Sequence, residues 1–373
     1  MSYPRLTTAS GRTVLAAALA CAAGLAVNLW LAAMNAKGFG ADFNQFYCAS
    51  RLAGTGHLYD WDALRKLEAA HGPAIRTGRL PVVALGWKLI GWMPYPTARG
   101  VWLAASIVSI LFFALAWPGL NRLGALVALC WSAPTALLLL VGQDTPFWLL
   151  FAAAGLLLLS RGKPRLAGVA FALCIAKYHL AVAFPIMLVA QKRWNVLAYG
   201  AAAGAVLLGA GFAIEGPGWP HRYWEAVTDP QFSPAAARMA NLRGIAWWLP
   251  WPGAVEAILA IAVVYLLWRF FRRTPQLGLA GAGAAAGGLL LARHGYNYDF
   301  VLLIPLLVFT AQRPGIPVWL KGWAVLLLSP VATLLVVTNK PFLAQVPIVG
   351  FVIAALVREC LAKTDADAPP RPA

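Results

Sequence analysis

Residues 38–60 read GFGADFNQFYCASRLAGTGHLYD, and the reading of this stretch decides the rest. It follows a long apolar run, residues 14–34, and is the first place where the chain stops being compatible with lipid. An acid, Asp42, stands a few residues past the end of that run, followed by Asn44, Gln45, Tyr47, Arg51, His57 and Tyr59. An acid and a set of hydrogen-bonding side chains at the mouth of a membrane helix read as the start of the active site of a polytopic membrane enzyme.

Composition agrees with a chain dissolved mainly in lipid. Of 373 residues, 61% are hydrophobic and 12% charged, against about 25% charged in soluble domains, and the mean hydropathy is +0.70. Seventeen Trp and 26 Pro fit aromatic belts at membrane interfaces and broken or bounded membrane helices. The net charge of +17 does not point to nucleic acid, because the basic residues are scattered through short loops between apolar runs, as cytoplasmic loops require. Cys21, Cys48, Cys130, Cys174 and Cys360 form no CxxC and no paired spacing, so no metal or disulfide framework is expected. Residues 14–34 are too long for a signal h-region and read as a retained first helix.

Apolar runs at 13–34, 97–117, 122–141, 145–160, 194–214, 253–271, 276–292, 297–312, 316–337 and 342–358 predict an all-α polytopic membrane protein. With the interrupted run 164–190, which Lys177-Tyr178-His179 divides into two short helices that enter and return, the count comes to about twelve crossings, roughly ten to thirteen. Residues 80–93 are too short to span and read as an interfacial or re-entrant piece; residues 60–70, DWDALRKLEAA, predict an amphipathic helix with Trp61, Leu64 and Leu67 on one face. The basic flanks after residues 121, 160, 191, 269 and 312 orient the chain with both termini cytoplasmic. A single membrane domain over 1–360 is expected, with extracytoplasmic loops at 35–80 and 215–250, and a disordered cytoplasmic tail at 361–373. That topology, drawn from basic loops alone, puts Asp42, Gln143, Lys177, His179, the 215–250 loop, His294, Asn297 and Asp299 on one face.

The tract ADFNQFYCASRLAGTGHLYDWD resembles the first loop of the bacterial membrane glycosyltransferases of family 87, the DUF2029 group of mannosyltransferases in the GT-C superfamily. Asp42-Phe43, Tyr47 and the turn Gly56-His57-Leu58-Tyr59-Asp60 carry the likeness. It continues through LIGWMPYPTARGVW at 89–102 and through residues 142–177, which hold a Gly-Gln, a basic turn, an Ala-Gly and Lys177. Asn241-Leu242-Arg243-Gly244 and residues 293–298 match more loosely. Where the family usually has Pro after the Lys, this chain has Tyr178-His179. The resemblance implies a GT-C-like fold and transfer of a sugar, mannose in the family, from a polyprenyl-phosphate donor to a lipid or glycan acceptor at the outer face of the bacterial inner membrane. It also implies no nucleotide sugar and no cofactor, and the sequence indicates no metal.

Within that reading Asp42 is the candidate general base, since a carboxylate that deprotonates the acceptor hydroxyl suits inversion at the anomeric carbon. The other reading of Asp42 is a helix N-cap at about 43–53. His294, Lys177, Arg238, Arg243, Arg293, Asn297, Tyr47 and Gln143 are candidate contacts to donor phosphate or acceptor. Arg forks match phosphate oxygens, and a Lys inside an apolar segment is costly unless it faces a cavity or snorkels. Gln143-Asp144 reads as a helix turn with a structural hydrogen-bonding role as well. Two readings compete with the enzyme: a transporter of a lipid-linked or small anionic substrate, and a non-catalytic membrane assembly protein. A transporter should show two similar halves with ionisable groups at the midplane, which the sequence lacks.

Overall fold

A computed structural model describes residues 10–34, 40–72, 74–229, 236–329 and 342–362. Residues 330–337 of the expected run 316–337, the turn at 338–341 and residues 363–373 of the expected tail fall outside them. The described residues are helical, with no strand among them. From the N-terminus the helices are α1 (Gly11–Met34), α2 (Ala41–Leu52), α3 (Trp61–Glu68), α4 (Pro81–Gly86), α5 (Lys88–Gly91), α6 (Tyr95–Ala116), α7 (Arg122–Trp131), α8 (Ala133–Val141), α9 (Thr145–Ser160) and α10 (Pro164–Ala172). A 3-10 segment, Leu173–Leu180, leads to α11 (Ala183–Ala190), α12 (Trp194–Glu215), α13 (Trp219–Thr228) and α14 (Leu242–Ala246). Then come α15 (Pro252–Arg273), α16 (Leu277–Leu291), a 3-10 segment Asn297–Leu303 running into α17 (Ile304–Gln312), α18 (Val318–Leu328) and α19 (Phe342–Leu361).

Four of these, α1, α6, α12 and α15, are long and apolar enough to cross a membrane, and a fifth span exists if α7 and α8 are one broken helix bent by 65°. The chain is a multi-pass membrane protein on that count, with fewer full-length candidates among the described residues than the expected twelve or so. For several of the expected runs the difference lies in helix length. At about 1.5 Å per residue, a helix needs some 20 residues for a hydrocarbon core of about 30 Å. Helix α9 has 16 residues, α16 has 15 and α18 has 11. The α7–α8 bend has a local cause: Ser132 caps α8 through its hydroxyl on Thr135 N, and Pro134 sits in the first turn, where its missing N–H costs nothing.

Two packing features place the polar residues. Helix α16 is almost pure Ala, Gly and Leu and is buried nearly end to end, because its small side chains let neighbours approach closely. A Cβ on Gly288 would lie 2.0 Å from the carbonyl oxygen of Leu180, so the 3-10 segment can rest on α16 only where that position is glycine. The segment breaks at Lys177, whose φ of −134° and ψ of 63° are not helical. The division of 164–190 into two short helices read from the sequence is therefore the structure's own, and it turns the Lys177 side chain inward.

The second feature is an aromatic cluster under the first polar stretch. Phe43, Phe46 and Tyr47 of α2 pack with Trp87, Tyr95 and Trp102 at centroid separations of 4.7–5.6 Å. Truncating a buried Phe to Ala costs about 3–5 kcal/mol, so this face fixes the rotation of α2. Its start is fixed separately. Gly40 enters α2 with φ 78° and donates its N–H to Leu140 O at 2.8 Å. Gly142 ends α8 with φ 76°, and a Cβ there would stand 2.6 Å from the Cβ of Phe43. Trp102 Nε1 donates to Gly142 O at 3.0 Å. These contacts bring the first turn of α2, with Asp42, against residues 142–144.

Candidate active site

A cavity of about 590 Å³ opens between the first loop, the α8–α9 turn, the break at Lys177 and the residues before α17. Asp42, Gln45, Arg76, Arg79, Gln143, Lys177, His179, His294, Tyr296, Tyr298 and Asp299 line it. Chain segments more than 250 residues apart in sequence thus present polar side chains to one space.

Asp42 does not cap α2; the N-cap is Gly40 and no side chain caps that end. Its carboxylate instead takes a hydrogen bond from the Gln143 side chain, and burial pushes its pKa above the ordinary carboxylate range. The Gln143 bond and the positive charges of Lys177 and Arg79 pull the other way without reversing the shift. A carboxylate raised by desolvation holds a proton more tightly once it has taken one, which is what a general base needs. Gln143 is buried and anchored through its side-chain oxygen, which accepts from Asp144 N at 3.3 Å.

Below Asp42 the polar groups are paired with one another. Arg79 grips Asp144 side-on, Nε to Oδ2 at 2.8 Å and Nη2 to Oδ1 at 2.9 Å. Asp144 precedes α9 at a position where Asp often caps, yet its side chain makes no capping bond there and is turned to the guanidinium instead. Lys177 Nζ donates to Thr145 Oγ1 at 2.7 Å and to Asp299 Oδ1 at 2.8 Å, and lies 3.5 Å from Asp144 Oδ1. Thr145 Oγ1 in turn donates to Asp299 Oδ1 at 2.8 Å, and Tyr296 N donates to Asp299 Oδ2 at 3.2 Å. The ammonium also sits 5.1 Å from the Tyr298 ring centre. Side-chain exposure of Lys177, Asp144 and Asp299 is 3% or less, so each charge depends on its partner rather than on water.

The remaining residues expected at the site divide. His294 lines the cavity 5.9 Å from the ring of His179. Burial, then the guanidinium groups of Arg243 and Arg293, push its pKa down to about 4, so at neutral pH it is an uncharged hydrogen-bonding group. Arg243 is half-buried on α14 and Arg293 is exposed; both act on His294 from the rim without lining the cavity. Asn241 ties this rim together, accepting from Gly244 N at 3.0 Å and donating to Ala292 O at 2.7 Å. Asn297 opens the 3-10 segment beside the cavity and does not line it. Tyr47 is turned away: it is buried in the aromatic cluster and donates its hydroxyl to Met93 O at 2.9 Å. The side chain of Arg238 lies outside what the structure describes. Among the described residues no group of His, Cys, Asp and Glu could hold a metal ion.

Arg79 is the residue that sequence reasoning passed over. It belongs to residues 74–80, a non-helical strap that walls the cavity. Gln45 Nε2 donates to Arg76 O, and Ile75 N donates to the Glu68 carboxylate. Tyr59 OH donates to Arg79 O at 2.9 Å, and Arg76 pairs with Asp229 at 3.0 Å. The turn at 54–60 is itself held in place, since Glu215 at the end of α12 accepts from Gly54 N at 2.7 Å and from Leu58 N at 3.4 Å. The only signal for Arg79 was a basic residue in a loop expected outside, which the positive-inside rule disfavours.

A family model described as Glycosyltransferase family 87 matches residues 81–293, more than half of the chain. No curated protein and no solved structure matches it.

Proposed function

The chain belongs to glycosyltransferase family 87, and from that premise we propose that it transfers mannose from a polyprenyl-phosphate donor to the hydroxyl of a lipid or glycan acceptor at the outer face of the inner membrane, with Asp42 as general base. The observation that carries the reading is Asp42 itself: a desolvated carboxylate on the wall of a 590 Å³ cavity, held by Gln143 and with no cation in direct contact among the described residues.

In this scheme Asp42 removes the acceptor proton as the acceptor oxygen attacks the anomeric carbon from the face opposite the phosphate. The bond from that carbon to the phosphate oxygen breaks, and polyprenyl phosphate leaves with the electron pair, so the configuration inverts. The leaving group is already a weak base and needs positive potential and N–H donors more than a proton. Lys177, Arg243 and Arg293 supply the potential, and neutral His294 supplies a donor or acceptor at the rim. Gln143 orients the base, and Asn297 opens the segment that carries Tyr298 and Asp299. Tyr47 keeps a scaffolding role only. No nucleotide and no metal enters the step.

The donor is tested by incubating the purified protein with polyprenyl-phosphate-mannose and a membrane lipid extract. The expected outcome is a mannosylated lipid whose linkage is inverted relative to the donor. Product from a nucleotide sugar, with none from the lipid-linked donor, would overturn the proposal.

A further inference from the structure

We propose that Arg79 is a catalytic residue that contacts the phosphate of the lipid-linked donor through the guanidinium edge that Asp144 leaves unused; this rests on the donor reading given above. Lys177 and Arg79, two cations on the cavity, differ in the donors they have to spare. Lys177 has three N–H bonds and gives two of them to Thr145 and Asp299 at 2.7 and 2.8 Å, with Asp144 facing the ammonium at 3.5 Å. A ligand would have to draw it away from two buried acids. Arg79 has five N–H bonds and spends two of them on Asp144, at Nε and Nη2. Nη1 has no hydrogen-bond partner among the described residues, although the residue lines the cavity. The side-on grip on Asp144 and the Phe46 ring 5.2 Å from the guanidinium carbon hold the plane of the fork still, so the remaining donors are preorganised.

Position supports the same assignment. Tyr59 OH fixes the Arg79 carbonyl at 2.9 Å, and the strap just before it, at Ile75 and Arg76, is tied to α2, to α3 and to Asp229, the residue that follows α13. Asp144 lies directly after Gln143, the partner of Asp42. One short tract, Gln143-Asp144-Thr145, therefore positions the base, the arginine and the lysine together. When the anomeric bond breaks, charge grows on the phosphate oxygens, and the Nη1 N–H groups would bond to one of them as it leaves.

The experiment separates a phosphate contact from a mere counter-ion of Asp144. Arg79→Met combined with Asp144→Asn removes both buried charges, so the fold does not carry a lone carboxylate. The probe is farnesyl phosphate, read as the rise in thermal midpoint over that given by farnesol, alongside kcat/KM for transfer from polyprenyl-phosphate-mannose. The wild type should be protected by the phosphate and not by the alcohol. The double variant should lose that protection and about 100-fold or more in kcat/KM, the usual loss for one transition-state donor. Arg79→Lys keeps the charge but not the fork, and should show the same loss of phosphate protection with a raised donor KM. Retention of protection and of transfer within about threefold in either variant, against a protected wild type, overturns the assignment of Arg79 alone. A wild type that farnesyl phosphate protects no better than farnesol overturns the donor reading and this inference with it.

Discussion

The wall of the cavity at Asp42 and its floor at Lys177 are built from the same kinds of residue in opposite states. On the floor, Asp144 and Asp299 are matched by Arg79 and Lys177 at 2.8–2.9 Å, with Thr145 and the Tyr296 N–H filling the remaining valences. On the wall, Asp42 has one amide partner and two cations acting only from a distance. Of the three carboxylates here, Asp144 and Asp299 are paired with Arg79 and Lys177, the third cation on the cavity, Arg76, is paired with Asp229, and Asp42 has no ion pair among the described residues. The difference teaches how to separate structural from chemical acids when both are buried. An acid that is part of the fold comes with its countercharge, and an acid that does chemistry waits for a proton.

The comparison predicts unlike outcomes for like substitutions. Lys177→Met should have the largest effect on stability, about 3–5 kcal/mol, because it strands Asp299 without its partner. A thermal melt checks it, and adding Asp299→Asn to the variant should recover most of the loss. A melt unchanged by Lys177→Met would mean that the floor is not a mutually dependent set of charges.

A smaller effect separates the two regions by pH. Burial raises the pKa of folded Asp42 above that of the unfolded chain, so its contribution to stability is present below the unfolded value and lost as pH rises through the folded one. At neutral pH the ionised group is a cost to the fold, yet it is the form the reaction needs. Transfer should therefore fall about tenfold per pH unit on the acid side, with the midpoint above the ordinary carboxylate value of about 4, while the fold gains stability over the same interval. A pH–rate profile set beside melts at each pH reads both. Loss of rate only where the protein unfolds would assign the titration to the paired floor instead.

Much of this fold was legible in the sequence, and for a physical reason. Apolar runs bounded by Pro and Arg gave α6, α9, α12 and α15 to within two residues, and a lysine among apolar residues marked the break at 177. The number of full-length spans was less legible, because an apolar run does not show where its helix breaks, as α7 and α8 do at Ser132 within the run 122–141. Asp42 was visible from its position after the first helix, and its gathering with Gln143, Lys177 and His294 followed from loop charges. Tyr47 was misplaced for want of the helix phase: on α2, Gln45 lies about 60° from Asp42 around the axis and Tyr47 about 140°, so one shares the cavity and the other the aromatic cluster. Arg79 and its bond to Asp144 were invisible because the pair joins a loop to a helix start 65 residues apart, and no periodicity records such a contact.

Asp42→Asn is the most direct measurement of the account. The substitution keeps the size of the side chain and its hydrogen bond to Gln143 and strands no cation. The purified variant should melt at or slightly above the wild-type temperature and transfer sugar from polyprenyl-phosphate-mannose about 10²–10⁴ times more slowly at saturating donor and acceptor. A folded Asp42→Asn protein that transfers at the wild-type rate would contradict the assignment of Asp42 as the base.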